Sequence, residues 1–160
     1  MAEILFISST AWDGSSHLGT QHQLARQLAR RHRLFFLELP ASPFSGLTGR
    51  RPGALRRGLG RWLAGGRRRV EGAVVLSPPP VLPLRYHRPT GGINQALLAS
   101  FLRRRLAREG AGVPLVVTFQ ADSAALLRRL PARRRVYWCT DDWSAGGRWW
   151  QPAGLVRRRE

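Results

Sequence analysis

A chain of 160 residues has the size of one domain and is too short for two full-sized lobes. Its 27 basic side chains against 9 acidic ones give a formal net charge of +18, a balance that taken alone proposes nucleic acid or an anionic membrane as partner. The single cysteine, Cys139, excludes an internal disulfide and a multi-cysteine zinc site, and no apolar run approaches the roughly 18–20 residues of a membrane span.

The chain opens on Ile4 to Ser8 (ILFIS), a wholly apolar run of the kind that forms a strand covered on both faces. Met1 to Ser8 contains Glu3 and no basic n-region, so no signal peptide is expected and the protein is placed in the cytosol. A Gly/Ser-containing loop follows. Gly19 to Arg33 then sets Leu24, Ala25 and Leu28 on one helical face and ends in arginines that suit a helix C-terminus. Leu34 to Leu39 reads as a second strand stopped by Pro40, and Val70 to Leu76 as a third. Ile93 to Glu109 is expected to be helical, with Ile93, Leu97 and Phe101 spaced by four. Strands at Pro114 to Phe119 and Arg135 to Thr140 flank a shorter helix over Asp122 to Leu130. Apolar strands alternating with helices imply right-handed parallel βαβ units, hence an α/β Rossmann-like doubly wound parallel sheet. Ala41 to Arg69 and Ser77 to Gly92, rich in Gly and Pro, are read as loops with partial structure. Gly154 to Glu160 resembles the first turns of a helix without a continuation, from which a truncated domain is expected.

All the basic side chains are arginine, a bias that fits either the base composition of the coding sequence or a selected basic surface. Arg30, Arg31 and Arg33, Arg103 to Arg105 and Arg108, and Arg128, Arg129 and Arg133 to Arg135 fall at helix ends or strand starts. Asp13, Glu38, Asp122, Asp141 and Asp142 instead follow strand ends, where ligands of a parallel sheet bind. Nucleic acid is therefore not the expected partner, because its phosphates would need the cations at the crevice.

The loop Ser9 to Gly19 lacks GxGxxG. Gly14, Ser15, Ser16 and Gly19 could still present N–H and hydroxyl groups to a donor phosphate, or form an ordinary turn with a helix cap. His17 is either an acceptor-binding group or a solvated loop histidine. Asp122 is either an acceptor contact or the N-cap of the Leu-rich helix after it. Val136 to Trp143 (VYWCTDDW) is the most specific text in the chain. Its adjacent carboxylates, Asp141 and Asp142, stand where a sugar hydroxyl could be bound or deprotonated, with Trp143 as a stacking surface. The structural alternative has Asp142 capping a following helix while Trp143 packs. Leu55, Leu59, Trp62 and Leu63 form an apolar stripe with Arg56, Arg57 and Arg61 on other faces. Such a helix either covers the sheet or meets anionic lipid through Arg56, Arg57 and Trp62, although Gly58 and Gly60 weaken it.

The opening strand, Trp12, the segment HQLARQLARRHRLFFLELP and Tyr137-x-Cys139-x-Asp141-Asp142-Trp143 together resemble the N-terminal domain of GT-B glycosyltransferases of the family 4 kind. The family's arginine at the start of the first helix has no counterpart here, where Gly19, Thr20 and Gln21 stand. The resemblance implies a two-domain enzyme with acceptor binding in this half and nucleotide-sugar binding mainly in a second half. It implies a nucleotide-sugar donor, a saccharide or lipid-linked acceptor, and no metal cofactor, with residues 1–160 forming the single acceptor-side domain of an enzyme of cell-surface polysaccharide or glycolipid synthesis, peripheral on the inner face of the membrane. The other class of reading is a noncatalytic basic α/β module for anionic membrane or nucleic acid.

Overall fold

The computed structural model describes residues 1–12, 19–40, 53–82, 89–120 and 123–138. Strand β1 (Glu3–Ile7) is followed by helix α1 (Thr20–Arg31), β2 (Arg33–Leu37), α2 (Ala54–Leu63), β3 (Arg67–Val70) and β4 (Ala73–Leu76). Then come α3 (Thr90–Arg108), β5 (Leu115–Thr118), α4 (Ala124–Arg129) and β6 (Arg134–Tyr137). The six strands form one sheet in the order β3-β4-β2-β1-β5-β6. All neighbouring pairs are parallel except β3 with β4. The fold is thus α/β, a mostly parallel sheet flanked by helices and compatible with a Rossmann-like arrangement.

Successive strand residues point to opposite faces, and the apolar runs fill both. On one face Leu5, Ile7, Phe35, Leu37 and Leu76 meet Leu98, Leu102 and Leu106 of α3 and Leu126 of α4. On the other, Ile4, Phe6, Leu34, Phe36 and Val117 meet Trp12 and Ala25, with Leu24 and Leu28 of α1 packed against them. Phe6 and Phe36 stack with ring centroids 5.4 Å apart. The face that spacing assigns to α1 is therefore the one it uses.

Two elements differ from the sequence reading. The run Val70 to Leu76 is not one strand: its first residue ends β3, Glu71 and Gly72 turn, and β4 returns antiparallel. Both turn residues have positive φ, 51° and 84°, which suits the twist of a two-residue hairpin. The turn's Glu71 carboxylate pairs with Arg26 of α1 at 2.5 Å. In α3, Phe101 is buried, but Ile93 and Leu97 are 46% and 47% exposed. The buried stripe is Gly91, Asn94, Leu98, Phe101 and Leu102, and Leu98 lies about 100° of helix rotation from Leu97.

The junction of α2 with the sheet depends on Gly66. Its φ is +63°, and a Cβ there would lie 2.9 Å from the Ser77 carbonyl oxygen and 3.4 Å from Phe101. Gly66→Ala should cost about 1–3 kcal/mol from the left-handed backbone and the close approach. A thermal melt would show this as a fall in Tm of several degrees, and an unchanged Tm would contradict it.

Candidate functional site at the carboxyl edge of the sheet

Strands β4, β2, β1, β5 and β6 all end on one edge, and the connections run one way from β1 to β2 and β4 and the other way to β5 and β6. The crevice between β1 and β5 is the topological switch point, where open α/β sheets bind ligands. Among the described residues the groups at this point are polar and uncharged. Ser8, fully buried after β1, donates from Oγ to Gln21 Oε1 at 2.9 Å and lies 3.0 Å from Thr10 Oγ1. Gln21, in the first turn of α1, also accepts from the Ser9 backbone N–H at 3.1 Å and donates from Nε2 to Ser9 Oγ at 2.7 Å. From the β5 side, Gln120 Nε2 donates to the Ser8 carbonyl, and the Gln120 backbone N–H donates to Thr118 Oγ1 at 3.1 Å. The loops after the two central strands are therefore tied across the switch point by amides and hydroxyls.

A charged knot stands beside this crevice, over the ends of β2 and β4. The side chain of Glu38, only 3% exposed, receives two hydrogen bonds from Arg68, at 2.8 Å to Oε1 and 3.1 Å to Oε2. Ser77 Oγ donates to Oε2 at 2.6 Å, and the Trp12 backbone N–H donates to Oε1 at 2.7 Å. Arg68 also donates to the Trp12 carbonyl at 2.7 Å, so both backbone polar groups of that residue are held by the ion pair. Arg61 Nε of α2 lies 3.7 Å from Glu38 Oε2. Burial pushes the Glu38 carboxyl upward, but hydrogen bonds from Arg68 and Ser77 and the charges of Arg68 and Arg61 outweigh it and hold the group below its ordinary value. Trp12 in turn packs edge-on against Phe36 and His22, and His22 Nε2 lies 3.0 Å from the Ala11 carbonyl. The knot fixes Trp12, the last described residue before Gly14, Ser15, Ser16 and His17 in the sequence.

Of the residues singled out from sequence, Gly14, Ser15, Ser16, His17, Asp122, Asp141, Asp142 and Trp143 lie outside the described residues, as does Gly154 to Glu160. Gly19 is the N-cap of α1, without a side-chain cap, at the carboxyl edge. On α2, Arg56 and Arg57 are exposed, whereas Trp62 is half-buried and packs against the core, the covering role that its stripe also allowed. Sequence reasoning did not find Gln21, Gln120, Arg68 and Ser77. Ser8 was read only as the end of a strand, and Glu38 as a crevice acid without its partner. The signal for Gln21 was its place at the start of the first helix. Arg68 had no such signal, because its position opposite Glu38 requires the antiparallel hairpin.

Among the described residues no three or more His, Cys, Asp or Glu side chains come together as a metal site. Nor is any described helix long and apolar enough to cross a membrane. No family model, curated protein or solved structure matches the chain.

Proposed function

We propose that this chain is the acceptor-side half of a GT-B nucleotide-sugar glycosyltransferase of the family 4 kind, acting on a saccharide or lipid-linked hydroxyl. The observation that supports this best is the cluster of neutral hydroxyl and amide groups that the described residues Ser8, Ser9, Thr10, Gln21 and Gln120 form at the switch point. Such groups suit a polyhydroxylated ligand, which needs matched donors and acceptors rather than charge. A second support is placement: β6 pairs with β5 and ends at Tyr137, four residues before Asp141. A carboxylate there takes the acceptor proton as the hydroxyl oxygen bonds to the anomeric carbon and the nucleoside diphosphate departs with the electron pair of the broken bond. Gly19, the N-cap of α1, stands at the helix N-terminus, whose partial positive charge favours the donor diphosphate. No metal cofactor enters this scheme.

The other reading, a noncatalytic basic module, draws on exposed arginines at the opposite edge, among them Arg31, Arg108 and Arg133. Activity and binding separate the two. The purified chain should bind neutral acceptor glycans yet transfer no sugar from a panel of nucleotide-sugars, since half the cleft belongs to the donor-binding domain. Transfer should appear in a polypeptide that carries both halves. Donor-dependent turnover by the 160-residue chain alone would refute the half-enzyme reading, and duplex DNA binding without glycan binding would favour the module.

A further inference from the structure

Two arginines converge on Glu38, and only one of them is satisfied there. Arg68 directs its terminal N–H groups to Glu38 Oε1 and Oε2, to Ser77 Oγ and to the Trp12 carbonyl, in bonds of 2.7 to 3.1 Å. Arg61, in the last turn of α2, is differently placed. Its Nε is enclosed by protein and has no hydrogen-bond partner. Glu38 Oε2, 3.7 Å away, is beyond hydrogen-bond distance and already accepts from Arg68 and Ser77. A guanidinium N–H held away from water without an acceptor is destabilising, and an arriving acceptor relieves it.

Charge points the same way. Arg61 and Arg68 face a single carboxylate, which leaves one positive charge in excess at the knot. The other described acids are engaged elsewhere, Glu71 with Arg26, Glu3 with Arg33 and Glu109 with Arg67. The Arg61 side chain is 32% exposed, so a solute can reach part of it. Such a fork of donors, at the edge where open parallel sheets bind ligands, suits the oxygens of a phosphate or carboxylate. We propose that Arg61 is an oxyanion-binding residue, whose guanidinium takes a phosphate or carboxylate group of a ligand lying over the ends of β2 and β4. Arg68 and Glu38 stay paired with each other and hold the surroundings in place. The assignment does not depend on glycosyl transfer. Since β2 is the neighbour of β1, about 5 Å away at ordinary strand spacing, one ligand can place hydroxyls at Ser8 and Gln21 and its anionic group at Arg61.

The competing acceptor is internal. Asp13 follows Trp12 in the sequence, and Trp12 is held at the knot, so this carboxylate is the rival for Arg61. The test is a titration of the isotope-labelled full chain with sodium phosphate at constant ionic strength, following the Arg61 Nε–H resonance. The resonance should shift and saturate, and a parallel titration with acetate shows whether a carboxylate serves as well. Read on the Ser77 backbone N–H, Arg61→Gln should weaken phosphate binding by about tenfold or more. Arg56→Gln removes the same charge from an exposed position of the same helix and should change binding less than about twofold. An Arg61 resonance that moves with neither anion would overturn the proposal. Equal losses in the two variants would also overturn it, by assigning phosphate to the general charge of the chain. So would binding that appears only in Asp13→Asn, which would give Arg61 an internal partner. The titration of the parent protein decides the assignment even where Arg61→Gln fails to fold.

Discussion

Arg68→Ala is expected to cost about 3–5 kcal/mol of folding stability, the range for breaking a buried ion pair by removing one partner. The asymmetry between the two partners sets this direction. The Glu38 side chain is 3% exposed, whereas that of Arg68 is 29% exposed. Deleting the carboxylate would release a guanidinium that can turn toward water, but deleting the guanidinium strands a carboxylate that cannot. Ser77 and the Trp12 N–H would remain, and Arg61 at 3.7 Å makes no hydrogen bond to replace those lost. A thermal melt should show a fall of about 6–20 °C at neutral pH. Glu38→Gln should cost less, because the amide oxygen still accepts from Ser77 or the Trp12 N–H and no charge is left without a partner. A melt of Arg68→Ala within a degree or two of the parent would show that the knot contributes little.

The pH dependence of that loss has a definite sign. In the parent protein the Glu38 carboxyl is held below its ordinary value, so its stabilisation is present above the unfolded-state pKa and is lost as pH falls through the lowered folded value. In Arg68→Ala burial remains while the main lowering partner is gone, so the folded pKa should rise above the ordinary value. The penalty then applies at neutral pH and is relieved as the group protonates on acidification. The stability gap between the two proteins should therefore narrow as pH falls from about 7 toward 4, the range over which such a carboxyl takes up its proton. Urea unfolding of both proteins across that range measures the gap, and a constant gap would mean that the loss comes from packing of the Arg68 stem alone.

This knot also marks the limit of what the sequence discloses. Periodicity locates β1, β2, β5, α1 and α3 to within a few residues because each is long or largely apolar, whereas β6, found at nearly the expected place, is an edge strand whose Arg134 to Tyr137 are all exposed rather than an apolar strand covered by helices. The hairpin of β3 and β4 escapes it. β3 is an arginine-rich edge strand with alternating exposure, and Glu-Gly is a weak turn signal beside Asn-Gly. Without that hairpin Arg68 has no place, and Glu38 reads as an available crevice acid when it is in fact a saturated one. The partners of Ser8 were equally hidden. Gln120, 112 positions from Ser8, meets it only because β1 pairs with β5. Spacing along one element predicts its face, whereas contacts between strand ends follow from strand order, which a single sequence does not specify. Helix α3 shows a milder form of the same limit: Ile93 and Leu97 satisfy a helical repeat, but an adjacent stripe is the one that is buried.

Within the proposed glycosyl transfer, Asp141→Asn or Asp142→Asn should lower turnover about 10²–10⁴-fold in a polypeptide carrying both halves, the usual contribution of a positioned general base. Chain reach permits the role. β6 ends at Tyr137, and Trp138 continues the sheet by donating its backbone N–H to the Thr118 carbonyl at 2.9 Å. Asp141 is four residues beyond Tyr137, a span of up to about 14 Å, while β1 lies two strands from β6, about 10 Å at ordinary strand spacing. Asparagine is the informative replacement because it distinguishes the two roles open to these residues. It caps a helix N-terminus about as well as aspartate does, so a purely capping Asp142 would tolerate the change in both stability and turnover. It cannot accept a proton, so a base would lose turnover while the melting curve stayed in place. Adjacent residues diverge in direction, so one substitution should carry most of the effect. The measurements are initial rates with saturating donor and acceptor, paired with a thermal melt of each variant. Full turnover in both variants would remove these carboxylates from the chemistry, and unfolding of both would assign them to the fold instead.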